Sequence, residues 1–67
     1  MITLTINGQR RELEGPTHLI DFLHSSGVDL QFIAVAYNGE VVEKEKFPQI
    51  ILDEGDDVEV VRPVGGG

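Results

Sequence analysis

The sequence predicts an α+β fold, with one short helix covering one face of a mixed sheet of four to five strands. Three observations predict it. Ile2, Leu4 and Ile6 alternate with Thr3 and Thr5, a period of two in residues that suit strands. Asn-Gly occurs at 7–8 and again at 38–39, each time after a strand-like run, and both positions of this pair accept the positive φ of a tight hairpin. Leu19, Ile20, Phe22 and Leu23 make an apolar stripe at helical spacing, and Gly27 stands where a helix would stop.

Taken in order, the first strand runs to Ile6 and returns over Gln9 to Glu14. A two-residue loop sets Ile2 opposite Leu13, and the same register sets Leu4 opposite Arg11, so that Arg11 either snorkels at the rim or sits at a bulge. Gly15-Pro16 ends the hairpin, and Thr17 reads as the N-cap of a helix from about His18 to Ser26. A helix this short is not stable alone and must lie on the sheet. Phe32 to Tyr37 is nearly continuously apolar and reads as a buried strand, paired through Asn38-Gly39 with Glu40-Val41-Val42. Glu43 to Lys46 reads as a solvated charged turn closed by Phe47-Pro48, followed by the short apolar Ile50-Ile51-Leu52. Asp53-Glu54-Gly55-Asp56 is a turn by composition, and Val58 to Arg62 is the last strand, ended by Pro63. The first and last strands are expected side by side near the centre of the sheet.

With 67 residues the chain holds one domain, read as residues 1–63 with a flexible tail at 64–67. A chain of this size buries only roughly 60% of the surface it exposes when unfolded. There is no cysteine, so neither a disulfide nor a thiolate metal site staples it, and it has no thiol nucleophile. The net charge is −7, from twelve carboxylates against five Lys and Arg. That balance argues against nucleic acid and against an anionic membrane, and favours a partner with a basic face. The first residues lack a basic region and a long apolar stretch, so no signal peptide is read there, and the expected location is the cytoplasm.

Candidate chemistry concentrates at the end of the chain. Pro63-Val64-Gly65-Gly66-Gly67 follows a strand and has no structural task of its own, which makes the carboxylate of Gly67 the candidate working group. It is not a phosphate loop, since no helix follows. His18 and His24 stand six apart on a short helix and read as exposed residues rather than ligands. The acidic run at 53–59 lacks the spacing of a calcium loop. Nowhere do a nucleophile, a base and an orienting group assemble, so no enzyme is predicted.

The order of elements, the Asn38-Gly39 hairpin within Ala34-Val35-Ala36-Tyr37-Asn38-Gly39, the motif Leu52-x-x-Gly55-Asp56-x-Val58-x-Val60 and the terminal glycines together resemble the ThiS sulfur carriers. The resemblance spans the whole chain. It implies a β-grasp, ubiquitin-like fold and a part in thiamine biosynthesis. It also implies that a ThiF-like enzyme, using its own ATP and magnesium, adenylates Gly67. A cysteine desulfurase or sulfurtransferase would then supply sulfur for a thiocarboxylate, which a ThiG-like thiazole synthase would consume. The carrier itself binds no cofactor and is a monomer when free. Gly65 and Gly66 would thread into the partner enzymes, and Val61, Arg62 and Val64 are the candidate docking surface. The alternatives are a MoaD-like carrier for molybdopterin or a carrier serving cysteine, a ubiquitin-like modifier that joins Gly67 to lysines, and a non-covalent interaction module.

Overall fold

A computed structural model describes residues 1–62. The elements are β1 (Ile2–Ile6), β2 (Gln9–Leu13), β3 (Thr17–His18), α1 (Leu19–Ser25), β4 (Ala34–Tyr37), β5 (Glu40–Val42), β6 (Ile51–Leu52) and β7 (Asp57–Val61), with 3₁₀ turns at Leu30–Phe32 and Lys44–Gln49. Five strands form a sheet in the order β2-β1-β7-β4-β5, and β3 pairs with β6 in a separate two-stranded ribbon. The first and last strands lie parallel at the centre, while the other pairs in the large sheet are antiparallel. α1 covers one face, as predicted.

Burial alternates strictly along β1: Ile2, Leu4 and Ile6 are buried, whereas Thr3 and Thr5 are half-exposed. The first hairpin has the predicted register, with Ile2 opposite Leu13 and Leu4 opposite Arg11, and no bulge interrupts it. Arg11 snorkels: its guanidinium lies over the Phe22 ring, 6.0 Å from the centroid. Beneath the sheet, Leu4, Leu19, Leu23, Val35, Phe47, Leu52 and Val58 are almost completely enclosed, and no polar or charged side chain among the described residues is buried with them.

Both Asn-Gly turns have positive φ at each central residue, at 51° and 79° for Asn7-Gly8 and at 51° and 88° for Asn38-Gly39. Their side chains have a second task. Asn7 Oδ1 accepts from the Val60 N–H at 2.7 Å, and Asn38 Oδ1 accepts from the Asp57 N–H at 2.8 Å. Two turns on neighbouring hairpins therefore grip β7, near its end and at its start.

Three elements differ from expectation. Thr17 is not the helix cap: it pairs with Leu52 in β3, and its hydroxyl donates to the Gly15 carbonyl at 2.9 Å. The cap position is His18, without a side-chain hydrogen bond, and the first helical amide, Leu19 N–H, is satisfied by the Ile50 carbonyl at 3.0 Å. A long-range strand contact thus replaces a local cap. The second difference is that the strand expected from Phe32 starts only at Ala34. Asp29 accepts from the Gln31 amide through its side chain and from the Phe32 amide through its carbonyl, which coils 30–32 into a 3₁₀ turn and leaves Phe32 61% exposed. The third is that the charged turn after Val42 continues as a 3₁₀ turn to Gln49 and drives Phe47, 2% exposed, into the core.

The segment after β6 is tied by Asp56, whose carboxylate accepts from the Tyr37 hydroxyl at 2.8 Å, the Asn38 side-chain amide at 3.2 Å and the Asp53 N–H at 2.9 Å. Gly55, at φ +80°, donates its N–H to the Thr3 carbonyl at 2.8 Å. The Gly55-Asp56 pair is thus a structural clip joining the turn to β1 and to the β4–β5 hairpin. Donation to Asp56, ahead of desolvation and the charges of Asp56 and Asp53, raises the Tyr37 hydroxyl above its ordinary value of 10.0. A raised folded pKa means that this contribution to stability is complete below the unfolded value and is lost as pH climbs through the folded one. Tyr37 is the only tyrosine, so alkaline absorbance titration reads it directly. Its midpoint will lie above that of the unfolded chain, and Asp56→Ala will narrow the gap. Coincident midpoints in the wild-type protein would refute the clip.

Candidate functional site

The site begins where β7 ends. β7 lies between β1 and β4, and its last residue, Val61, pairs with Ala34. Beyond Arg62 the chain leaves the described region, so Val64, Gly65, Gly66 and Gly67 of the expected site lie outside it. What the structure supplies is the mounting: a strand held by neighbours on both sides and by the Asn7 and Asn38 side chains.

Val61 and Arg62 were expected to share one docking surface, but alternation along the strand sends them to opposite faces. Val61, 53% exposed, lies on the open face of the sheet. Residues directly opposite one another share a face, so Ala34 lies beside Val61, and Ala36 lies beside Val41, which is 80% exposed. These four small or β-branched residues form an apolar strip across β7, β4 and β5. Arg62 falls on the helix side with Val60, where both border a hollow of about 300 Å³ between α1 and the sheet. That hollow had no sequence signal, because its walls come from elements distant along the chain.

The acidic residues Asp53, Glu54, Asp56 and Asp57 lie at the opposite end of β7, about 13 Å from Val61 at the usual rise of a strand. His18 and His24 are both exposed. Among the described residues no group of three or more His, Asp or Glu side chains is placed to hold a metal ion, and no helix is long and apolar enough to cross a membrane.

A helix packed on a mixed sheet whose parallel central pair joins the two ends of the chain defines a β-grasp protein. Comparisons with known proteins narrow the class. The ThiS family model matches residues 4–67. A sulfur carrier protein ThiS of Thermus thermophilus is 42% identical over 62 residues, covering 92% of this chain and 95% of that protein. The crystal structure of the thiamine biosynthesis protein ThiS from Geobacter metallireducens superposes with a TM-score of 0.86 at 32% identity, covering 98% of this chain and all of that one. A thiazole synthase of Paramagnetospirillum magneticum is 36% identical over 64 residues, and the chain spans only 20% of its length. The chain belongs to the ThiS family, and what it matches is a carrier-type β-grasp fold rather than an enzyme.

Proposed function

We propose that this chain carries sulfur for the thiazole ring of thiamine, as a thiocarboxylate on Gly67. The observation that carries the reading is the family match, which runs through the glycine segment to residue 67 and includes a ThiS carrier of nearly the same length. The mid-sheet mounting of β7 supports it, since a segment drawn into an enzyme needs a firmly held root.

A free carboxylate is a poor acyl donor. A ThiF-like enzyme, holding ATP and magnesium, would let the Gly67 carboxylate attack the α-phosphorus and expel pyrophosphate. The terminal sulfur of a persulfide on a desulfurase or sulfurtransferase would then attack the acyl carbon and expel AMP. The resulting acyl disulfide is cleaved by a second thiol, leaving the thiocarboxylate. Because this chain has no cysteine, that thiol belongs to the donor or the activating enzyme. Glycine without Cβ lets Gly65 and Gly66 pass a narrow channel with their amides paired to its walls. From Pro63 the arm spans at most roughly 17 Å. Ordering each glycine costs roughly 1–2 kcal/mol, so contacts of the folded body, with Val61, Arg62 and Val64 nearest the arm, must supply affinity. The thiazole synthase that contains a segment similar to this chain supports a ThiG-like enzyme as the consumer. In this reading the carrier works in the cytoplasm, as a free monomer between encounters.

Incubation with ATP, magnesium, the activating enzyme and a sulfur donor will raise the intact mass by one oxygen-to-sulfur exchange. Removing Gly67 will abolish the gain with the fold retained. No gain in the wild-type protein sinks the reading, and conjugates of higher mass would favour a protein modifier.

A further inference from the structure

We infer that the hollow between α1 and the sheet is a docking subsite for an acidic, apolar-tipped segment of the enzyme that receives the arm; the inference rests on the carrier reading. Its floor is apolar, formed by Ile6, Phe22, Leu23, Val28, Ile33 and Val60. Its rim carries Arg11 and Arg62, and among the described residues no carboxylate lines it. In a chain with a net charge of −7 and only five Lys and Arg, placing two of them around one hollow makes a local positive site on an acidic body. Arg11 is already held over Phe22, so less of its freedom is lost when an anion binds.

Position identifies the occupant. Val60 and Arg62 border the hollow and are also the last steps before the arm. An enzyme that receives the arm must approach the chain next to these two residues. At about 300 Å³ the space is at the small end for a ligand pocket. It suits one or two apolar side chains, with neighbouring Asp or Glu meeting the two guanidinium groups. Docking here would grasp the helix side of β7 while the open face remains available to a different surface.

The test is ATP–pyrophosphate exchange by the ThiF-like enzyme of the same organism, with the full-length carrier as the varied substrate. R11E/R62E will raise the half-saturating carrier concentration by at least about tenfold, with the maximal rate kept within about twofold, because rim charges act on encounter. R10E removes a charge from the same hairpin, pointing to the open face, and will leave half-saturation near the wild-type value. R11Q/R62Q, gentler to the fold, will give a smaller rise in the same direction. Amide signals of Ser26 and Val28 will shift in the complex. Unchanged half-saturation in both double variants overturns the inference while leaving the carrier reading intact. So do an equal rise with R10E, or shifts confined to Ala34 and Ala36. No exchange with the wild-type carrier overturns both.

Discussion

Phe47→Ala will remove about a third or more of the protein's folding stability. Truncating a buried phenylalanine typically costs about 3–5 kcal/mol. A domain of this length has roughly 3–10 kcal/mol in all, at the usual stability per residue. Phe47 is 2% exposed and joins the cluster of Leu19, Leu23 and Leu52 from a 3₁₀ turn, so no regular element can slide in to fill the space it vacates. Phe47→Leu, which keeps most of the volume, will cost about 1–2 kcal/mol. Urea unfolding followed by far-ultraviolet circular dichroism measures both. A Phe47→Ala variant as resistant as the wild-type protein would show that the turn is not an anchor.

Gly66→Ala is expected to slow adenylation strongly while sparing the fold. It should leave the urea midpoint unchanged and slow adenylation by about ten- to a hundredfold, the consequence of roughly 1–3 kcal/mol of overpacking in a channel shaped for glycine. Single-turnover pyrophosphate release, with carrier and enzyme in excess over ATP, isolates the step. Adenylation at the wild-type rate would mean that the arm is not threaded through a close-fitting passage. The two substitutions separate the halves of the molecule: one acts on the stability of the body, the other on the arm while sparing the body.

Local chemistry made much of the fold legible. The strand period in 2–6, the Asn-Gly pairs and the Gly27 stop all act over a few residues, and each appears in the structure as read. Thr17 was misleading because the property that makes threonine a good cap also suits a strand, and the competing partner, Leu52, is 35 positions away. Phe32 was read as buried and Phe47 only as the close of a turn, for a similar reason. Both sit in short 3₁₀ turns, where neither the helical nor the strand period decides which side faces inward. The candidate site divided along the same line. Val61 and Arg62 were identifiable as the root of the arm, but that Val61 lies beside Ala34 on the open face follows from the register of β7 against β4. The cleft beside Arg62 exists only once α1 is laid on β1 and β7.

The place of β7 bears on how the protein is made. Of the five strands in the large sheet, the last to leave the ribosome is the one in the middle. The hairpins β1–β2 and β4–β5 are local and can form early, but they remain separate pieces until Asp57 to Val61 arrives between them. Joining Thr5 to Asp57 closes a loop of more than fifty residues in one late event. A nascent or damaged chain lacking those few residues has no sheet, and so no anchored end to offer. Completion of the fold and presentation of the arm are the same step, and an activating enzyme that demands a firmly rooted strand would pass over unfinished copies without a separate inspection.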